Sequence, residues 1–582
     1  MRALRCFWAR LQGRWAGRIV VLIALVLALP SIFSPLFIDE HLQTSKWNAW
    51  HGHTERSRGK HILNDYFVFA DQAENQREME HGLGLWWTAP DFKIAFWRPL
   101  AAATHVVDHY LWPGNTVLIH LHGLLWFLAL LVALNALYRR FLAPPVATLA
   151  LALYAWDDAR GMVLSWIANR HALIAGVFGI GVLIAHDRWR REGWRPGAWL
   201  APALLALGLL SSEMALATTA FLLGHALFID RGSLARRIAY LFPYGLVVAA
   251  WQWVYLAGGY GVVGSGGYVN PLAEPLLFAA KVIERAPIYM LAQLTPFESM
   301  LWGMYSPGAK IAVYLLALAV VVVVARVAWP RLAASAQSRF WLVGVALSLV
   351  FICASGTWDR QLVFVGFGAA PVLAMVIVHV LDAPPSSRWP RFVVCTLAVF
   401  NLVLAPLVLP LKSMSILGMV RMLPSPDGSV SRDATVANKT LVVPWINLEM
   451  PLWLAWSQRD AEGIPKPRKT RVLSVSFGDV FVTRPDAVTL VLRPKDGFFA
   501  GDSSKVFRSS SRPFHKGDVV KVSDMTATVV DVLDDGRPLE VEFRFATPLE
   551  SPEWLWMRGV PQGLAGWTPP KVGQAIVLPA VP

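Results

Sequence analysis

The chain has 582 residues, 55% of them hydrophobic and 16% charged, with a mean hydropathy of +0.46; a soluble protein of this size would carry about 25% charged residues, so a soluble globular class is excluded. The formal net charge of +14 does not indicate nucleic acid, because the basic residues sit in short clusters between apolar runs, where they orient the chain and meet anionic lipid head groups. Cys6, Cys353 and Cys395 are far apart, which excludes a disulfide framework and metal-ligand spacing.

The first apolar run follows Arg2, Arg5, Arg10, Arg14 and Arg18, and Pro30-Ser31-Ile32-Phe33 after it offers no small-residue cleavage site. The expectation is an uncleaved helix 1 over about 19–37 with its basic end cytoplasmic. A polar loop, 38–114, then lies outside the cytoplasm, and helix 2 (115–137) returns to Arg139 and Arg140. Helix 3 (145–157) goes out, and helix 4 (171–186) returns to Arg188, Arg190, Arg191 and Arg195. Helices 5 and 6 flank Ser211-Ser212-Glu213 and return to Arg231, Arg236 and Arg237; helix 7 (238–257) goes out. The stretch 274–293 is apolar enough to tempt a further crossing, but that would place Arg326, Arg331 and Arg339 outside, so an interfacial or re-entrant helix is expected. Helices 8 (309–329), 9 (340–354), 10 (361–381) and 11 (391–410) complete a predicted total of eleven crossings.

After a linker, 411–439, the pattern changes. Short alternating apolar runs at 471–477, 487–492, 518–522, 526–532 and 539–545 are separated by turn signals such as Asp534-Asp535-Gly536. The fold class expected is therefore a polytopic α-helical membrane domain, 1–410, followed by a β-rich extramembrane domain, 440–582, on the same side as the first loop. The expected localisation is a multi-pass inner or cell membrane protein, with its N-terminus cytoplasmic and its C-terminal domain extracytoplasmic.

The predicted cytoplasmic loops carry little besides arginine. The other side carries Asp39-Glu40, Trp97-Arg98-Pro99, His120 and His122, Asp157-Asp158, Asn169-Arg170-His171, Glu213 and Asp359-Arg360. An ionisable residue near a membrane helix end costs up to about 3 kcal/mol if it faces lipid, so several at one face indicate a wet cavity. Singly, each has a plainer reading. Asp39-Glu40 fits a helix exit, Asp157-Asp158 solvated loop charges, Glu213 a hairpin tip and Asp359-Arg360 a local ion pair. His120 and His122, two residues apart, point to different faces of a helix, which is poor metal geometry.

Taken in order, these pieces form a pattern: an acid after helix 1, then Phe96-Trp97-Arg98-Pro99-Leu100, then His120-Leu121-His122-Gly123. Next come Ser165-Trp166-Ile167-Ala168-Asn169-Arg170-His171, Ser211-Ser212-Glu213, and Asp359-Arg360-Gln361-Leu362 ahead of Gly366 and Gly368. The ordered set, over roughly 20–380, resembles the GT-C superfamily of lipid-linked-sugar glycosyltransferases, and within it the protein O-mannosyltransferases of the transmembrane tetratricopeptide type and their bacterial relatives. The chain departs from that family at Ser212, where a lysine is usual, at Asp157-Asp158-Ala159-Arg160, where His-Pro is usual, and at His171, where an aspartate is common. Its C-terminal domain is not built of tetratricopeptide repeats.

The resemblance implies a sugar donor carried on a polyprenyl phosphate and a protein or glycan acceptor presented outside the cytoplasm. Transfer needs a base for the attacking hydroxyl and fixed cations for the departing phosphate. Asp39 matches the family's first-loop acid and is the expected base, with Glu40 second. Arg98, Arg170 and Arg360 are the expected phosphate ligands, since a guanidinium offers a fork to phosphate oxygens. His120, His122, Asp157, Asp158, Asn169, His171, Glu213 and Asp359 would line the site. Single displacement would invert the anomeric centre. The scheme requires no cofactor, although the paired acids Asp157-Asp158 leave a divalent metal open. Two other classes compete: a transporter or lipid flippase, expected to place polar groups near the bilayer midplane within inverted repeats, and a non-catalytic scaffold that displays the β-rich domain.

Overall fold

The computed structural model describes residues 13, 15–52, 59–82, 84–382, 388–423 and 426–580. Arg2, Arg5, Arg10 and Arg14, which set the predicted cytoplasmic start, lie outside these residues, as does Cys6. Among the described residues, seven helices are long and apolar enough to cross a membrane: Ala16–Phe33, Thr116–Phe141, Ile167–Glu192, Leu234–Ala257, Pro307–Ala334, Asp359–Asp382 and Trp389–Lys412. Four shorter apolar helices, Pro144–Ala155, Gly197–Ser211, Glu213–Phe228 and Ala336–Ile352, stand among them. Each predicted crossing falls on one of these helices.

The bundle has a centre and a rim. The hydrophobic windows of Ile167–Glu192 and Asp359–Asp382 are 78% buried by their neighbours, whereas that of Pro307–Ala334 is 11% buried. Leu315, Leu316, Val322 and Trp329 on that rim helix are exposed, as apolar side chains facing lipid would be. Helix Pro275–Leu294, carrying Lys281, Glu284 and Arg285, is not among the seven and packs beside the rim helix.

Helix 1 differs from the expectation. The α-helix ends at Ala28, and Pro30 opens a tight 3-10 turn, Leu29–Phe33, because proline cannot supply the amide that would continue the helix. The chain then extends and starts a new helix, Ile38–His51. Asp39 and Glu40 are thus the first turn of a second helix rather than the exit of the first, a position where carboxylates meet the positive end of the helix dipole.

The first loop carries two short strands, β1 (Val68–Ala70) and β2 (Lys93–Ala95), which pair antiparallel; β3 (Gly261–Val263), after the seventh predicted crossing, completes that sheet. The C-terminal domain contains β4 (Thr440–Val443), β5 (Lys469–Val472), β6 (Val480–Thr483), β7 (Thr489–Pro494), β8 (Val519–Val522), β9 (Met525–Val532), β10 (Pro538–Phe545), β11 (Trp554–Val560), β12 (Gly563–Gly566) and β13 (Ala575–Leu578). Six form an antiparallel sheet in the order β13-β6-β7-β10-β9-β8, and four form a mixed sheet in the order β12-β11-β4-β5. The β9–β10 turn uses Gly536 at φ +77°, which only glycine adopts without strain.

This domain does not close on itself. Trp86 and Trp87 of the first loop enter its core, and their indole N–H groups donate to the Leu473 and Ser504 carbonyls at 2.9 and 3.1 Å. Arg471 in turn donates to the Met79 and Glu80 carbonyls. Helix Met450–Glu462 packs against Ile38–His51. The segment expected as a linker forms helix Ser415–Met422, with Ile416 fully buried in a cluster with Phe37, Met162 and Trp166. First loop, linker and β-rich domain therefore make one cap over the helix ends that carry the polar residues.

Candidate functional site

Glu40 and Asp39 are neighbours with different duties. Glu40 is buried; its Oε2 accepts from the Phe37 amide at 3.0 Å and its Oε1 from the Ala168 amide at 2.6 Å. It caps its own helix and ties that helix to the turn Ile167–Asn169. Both oxygens are thus engaged by backbone. Asp39 is half-buried and, among the described residues, makes no hydrogen bond or ion pair. Burial pushes its carboxyl up to about 6, while the charges of Arg360 and Arg98 pull it back. Burial and the charge of Asp39 push Glu40 up to about 7.

The three arginines singled out in the sequence are not equivalent. Arg98 grips Glu213 with both arms of its fork, Nε to Oε2 at 2.9 Å and Nη2 to Oε1, and lies 4.3 Å over the Phe96 ring. Its charge is matched within the protein. Arg170 is buried and spent: Nη1 is 2.5 Å from Asp108 Oδ2 and Nη2 donates to the Ile119 carbonyl at 3.0 Å. Asp108 Oδ1 also holds His122 Nδ1 at 2.6 Å. Arg170, His122 and Asp108 form an internal network that pins helix Pro99–Leu111 to the bundle.

Arg360 is the exception. Its Nη1 donates to Asn169 Oδ1 at 2.7 Å, and its guanidinium lies 4.5 Å from the Trp166 ring and 5.0 Å from the Trp358 ring. Among the described residues it has no carboxylate partner, and its buried Nε, like that of Arg170, has no acceptor. Asp359, next in sequence, points elsewhere, so the pair is not a local ion pair.

Asp359 accepts from the Ser299 amide and hydroxyl at 2.9 and 2.6 Å and from Lys412 Nζ at 2.7 Å. Asp158 and Glu298 each lie 2.7 Å from the same Nζ. Burial pushes Asp158 up to about 6 and Glu298 to about 7. Asp157 faces away and is held by the Ala159 amide, Gln293 and Arg160. Among the described residues, no group of three histidine, cysteine, aspartate or glutamate side chains is arranged to hold a metal ion.

The remaining candidates are interior. His120 Nε2 contacts the Ser34 carbonyl at 3.0 Å, and His171 Nδ1 contacts Ser212 Oγ at 3.0 Å. His120 also borders a small recess with Ile119, Gly123, Leu164 and Ile167. Sequence reasoning missed Asp108, Glu298 and Lys412. Lys412 carried a usable signal: it is a basic residue at the end of the last apolar helix that charge bias had assigned to the side without basic residues. Asp108 and Glu298 sit among ordinary polar residues and carried no such mark.

No protein-family profile matches the chain, and no curated protein matches it in sequence. Among solved structures it is similar to the oligosaccharyltransferase of Archaeoglobus fulgidus in its apo form, at 12% identity and a TM-score of 0.44, over 80% of this chain and 65% of that one. The same enzyme tethered to an acceptor peptide containing an NVT sequon gives 12% identity and a TM-score of 0.41, over 80% and 64% of the two chains. ArnT from Cupriavidus metallidurans bound to undecaprenyl phosphate gives 11% identity and a TM-score of 0.36, over 79% of this chain and 90% of that one. The chain thus spans slightly less than two thirds of the oligosaccharyltransferase.

Proposed function

We propose that this chain is a membrane-embedded glycosyltransferase of the GT-C kind, acting at the extracytoplasmic face on a polyprenyl-phosphate-linked sugar. The observation that carries the reading is the pairing of an unpartnered carboxylate, Asp39, with an Arg360 guanidinium that no carboxylate neutralises. A carboxyl raised to about 6 is ionised at neutral pH yet basic enough to accept a hydroxyl proton. A guanidinium with a buried, unsatisfied N–H suits a phosphate oxygen.

In the proposed step the acceptor hydroxyl oxygen attacks the anomeric carbon as its proton passes to Asp39. The bond from that carbon to the phosphate oxygen breaks, and its electron pair leaves on the lipid phosphate. Arg360 stabilises the charge that collects there, with Trp166 and Trp358 walling off water. Arg98, already paired with Glu213, adds positive potential and shape rather than a free fork. One displacement inverts the anomeric centre. The acceptor is a protein or glycan hydroxyl brought in beneath the cap formed by the first loop and the β-rich domain.

The test is a transfer assay in membranes with labelled polyprenyl-phosphate sugars, comparing the wild type with Asp39→Asn. Transfer by the wild type and its loss in the variant support the reading. Equal rates in the two would remove Asp39 from the chemistry.

A further inference from the structure

Lys412 is the meeting point of three carboxylates drawn from distant parts of the chain. Asp158 lies in the turn after helix Pro144–Ala155, Glu298 precedes the turn Ser299–Met304, and Asp359 begins the central helix Asp359–Asp382. Each places an oxygen 2.7 Å from Lys412 Nζ. Asp359 accepts a hydrogen bond from the ammonium, and Asp158 and Glu298 complete its shell as ion-pair partners.

The arrangement depends on a close approach. A Cβ on Gly161 would fall 2.5 Å from Lys412 Cβ and 2.7 Å from its carbonyl carbon. The bare backbone of helix Ala159–Ser165 is what lets the end of the last apolar helix reach Asp158. A charged side chain at that helix end is also costly in a membrane protein unless partnered, so its place reflects a specific use.

With Lys412 in place these carboxylates are not arranged to hold a metal ion, but three carboxylates left without the ammonium would offer the oxygen chemistry that magnesium, manganese or calcium takes. Such ions bind oxygens at about 2.0–2.6 Å, slightly inside the 2.7 Å seen around the ammonium. We propose that Lys412 is a tethered cation that organises the Asp158, Glu298 and Asp359 centre in place of a divalent ion, so that transfer by this chain needs no metal. This rests on the glycosyltransferase reading above for the reaction but not for the binding chemistry. Lys412 is a positioning residue. Through Asp359, which also accepts from the Ser299 amide, it fixes the start of the turn that carries Arg360, and it holds Glu298 beside that turn.

The test uses the purified full-length protein, with manganese as probe followed by electron paramagnetic resonance, and transfer measured with and without EDTA. For the wild type, no manganese site that Asp158→Asn removes should appear, and EDTA should leave the rate unchanged. Lys412→Ala should gain one manganese site, lost again in the Lys412→Ala, Asp158→Asn double variant. Its transfer in EDTA should fall by about tenfold or more and recover with manganese, as metal-centre partners affect activity. Lys412→Arg should keep metal-free transfer in part, and it serves where Lys412→Ala does not fold. Wild-type transfer that EDTA abolishes and manganese restores would overturn the proposal, as would a folded Lys412→Ala that binds no manganese. A wild type with no transfer at all would count against the glycosyltransferase reading, and the manganese binding would still decide the role of Lys412.

Discussion

Glu40 Oε1 accepts a 2.6 Å hydrogen bond from the amide of Ala168, joining the first-loop helix to a turn 128 residues further along the chain. Asp39, one residue earlier, makes no such bond among the described residues. Adjacent carboxylates thus divide into one that builds the site and one left free to act in it. Asp39→Asn should leave the thermal unfolding midpoint at neutral pH at or above that of the wild type while lowering the transfer rate by about 10²–10⁴, as loss of a general base does. Glu40→Ala should instead lower the midpoint, with about 1–2 kcal/mol lost from the helix cap. The two measured together separate chemistry from scaffolding, and a large stability loss in Asp39→Asn would merge the roles.

The same carboxylates make activity and stability run in opposite directions with pH. The base must be ionised, so kcat/KM should rise with pH through the raised Asp39 value of about 6 and level off above it. For stability the sign reverses. The folded-state values of Asp39 and Glu40, about 6 and about 7, lie above their ordinary 3.8 and 4.5, so the folded state binds protons more tightly than the unfolded chain. That contribution is fully present below about pH 4 and is lost as pH rises through the folded values. Asp39→Asn should flatten the low-pH side of the stability profile; an unchanged profile would show that the Asp39 carboxyl does not titrate in this window.

Arg360 and Arg170 should fail differently. Arg360→Ala removes a cation that no protein carboxylate needs, so donor affinity and rate should fall while the fold persists; Arg360→Lys should rescue only in part, since it keeps charge and loses the fork. Arg170→Ala leaves Asp108 buried without its cation and should cost about 3–5 kcal/mol. Binding of a labelled donor, alongside thermal unfolding in detergent, distinguishes the two outcomes.

Gly161→Ala tests the close approach at the acidic centre. The new methyl would meet Lys412 Cβ and backbone at 2.5–2.7 Å, and backbone cannot swing aside as a flexible side chain does. The expected cost is about 1–3 kcal/mol, as for overpacking elsewhere, with reduced transfer. Wild-type stability and rate together would show that the Lys412 segment moves without consequence.

Trp87→Ala tests the join between the first loop and the β-rich domain. The ring is fully buried and stacks 5.5 Å from Phe499, so removal should cost about 3–5 kcal/mol. Because the indole comes from outside the domain, limited proteolysis should then release a fragment near 440–580 faster than in the wild type. Unchanged release would show that the other contacts across the join suffice.

Much of the architecture was legible in the sequence because hydropathy and period are local. Apolar runs marked each membrane helix, and alternation marked β7 to β10, with half their side chains inward. β4, β6, β11, β12 and β13 went unmarked: β11 buries Trp556 and Met557 in succession, which breaks a period of two, and the other four are only four residues long. Helix Ile38–His51 was missed because its low apolar content resembles a loop, and its start is set by the tether from Glu40 to Ala168.

The sequence by itself determined that the chain is a membrane protein, which residues are polar near helix ends, and the order that resembles lipid-linked glycosyl transfer. Only the tertiary structure decided which of those charges are spent. Arg98 meets Glu213, Arg170 meets Asp108, and Lys412 gathers Asp158, Glu298 and Asp359, leaving Asp39 and Arg360 without an ion-pair partner among the described residues. The reason is desolvation. A buried charge must find a partner, and its partner comes from whichever distant segment packing brings within about 3 Å, a relation that no local pattern records.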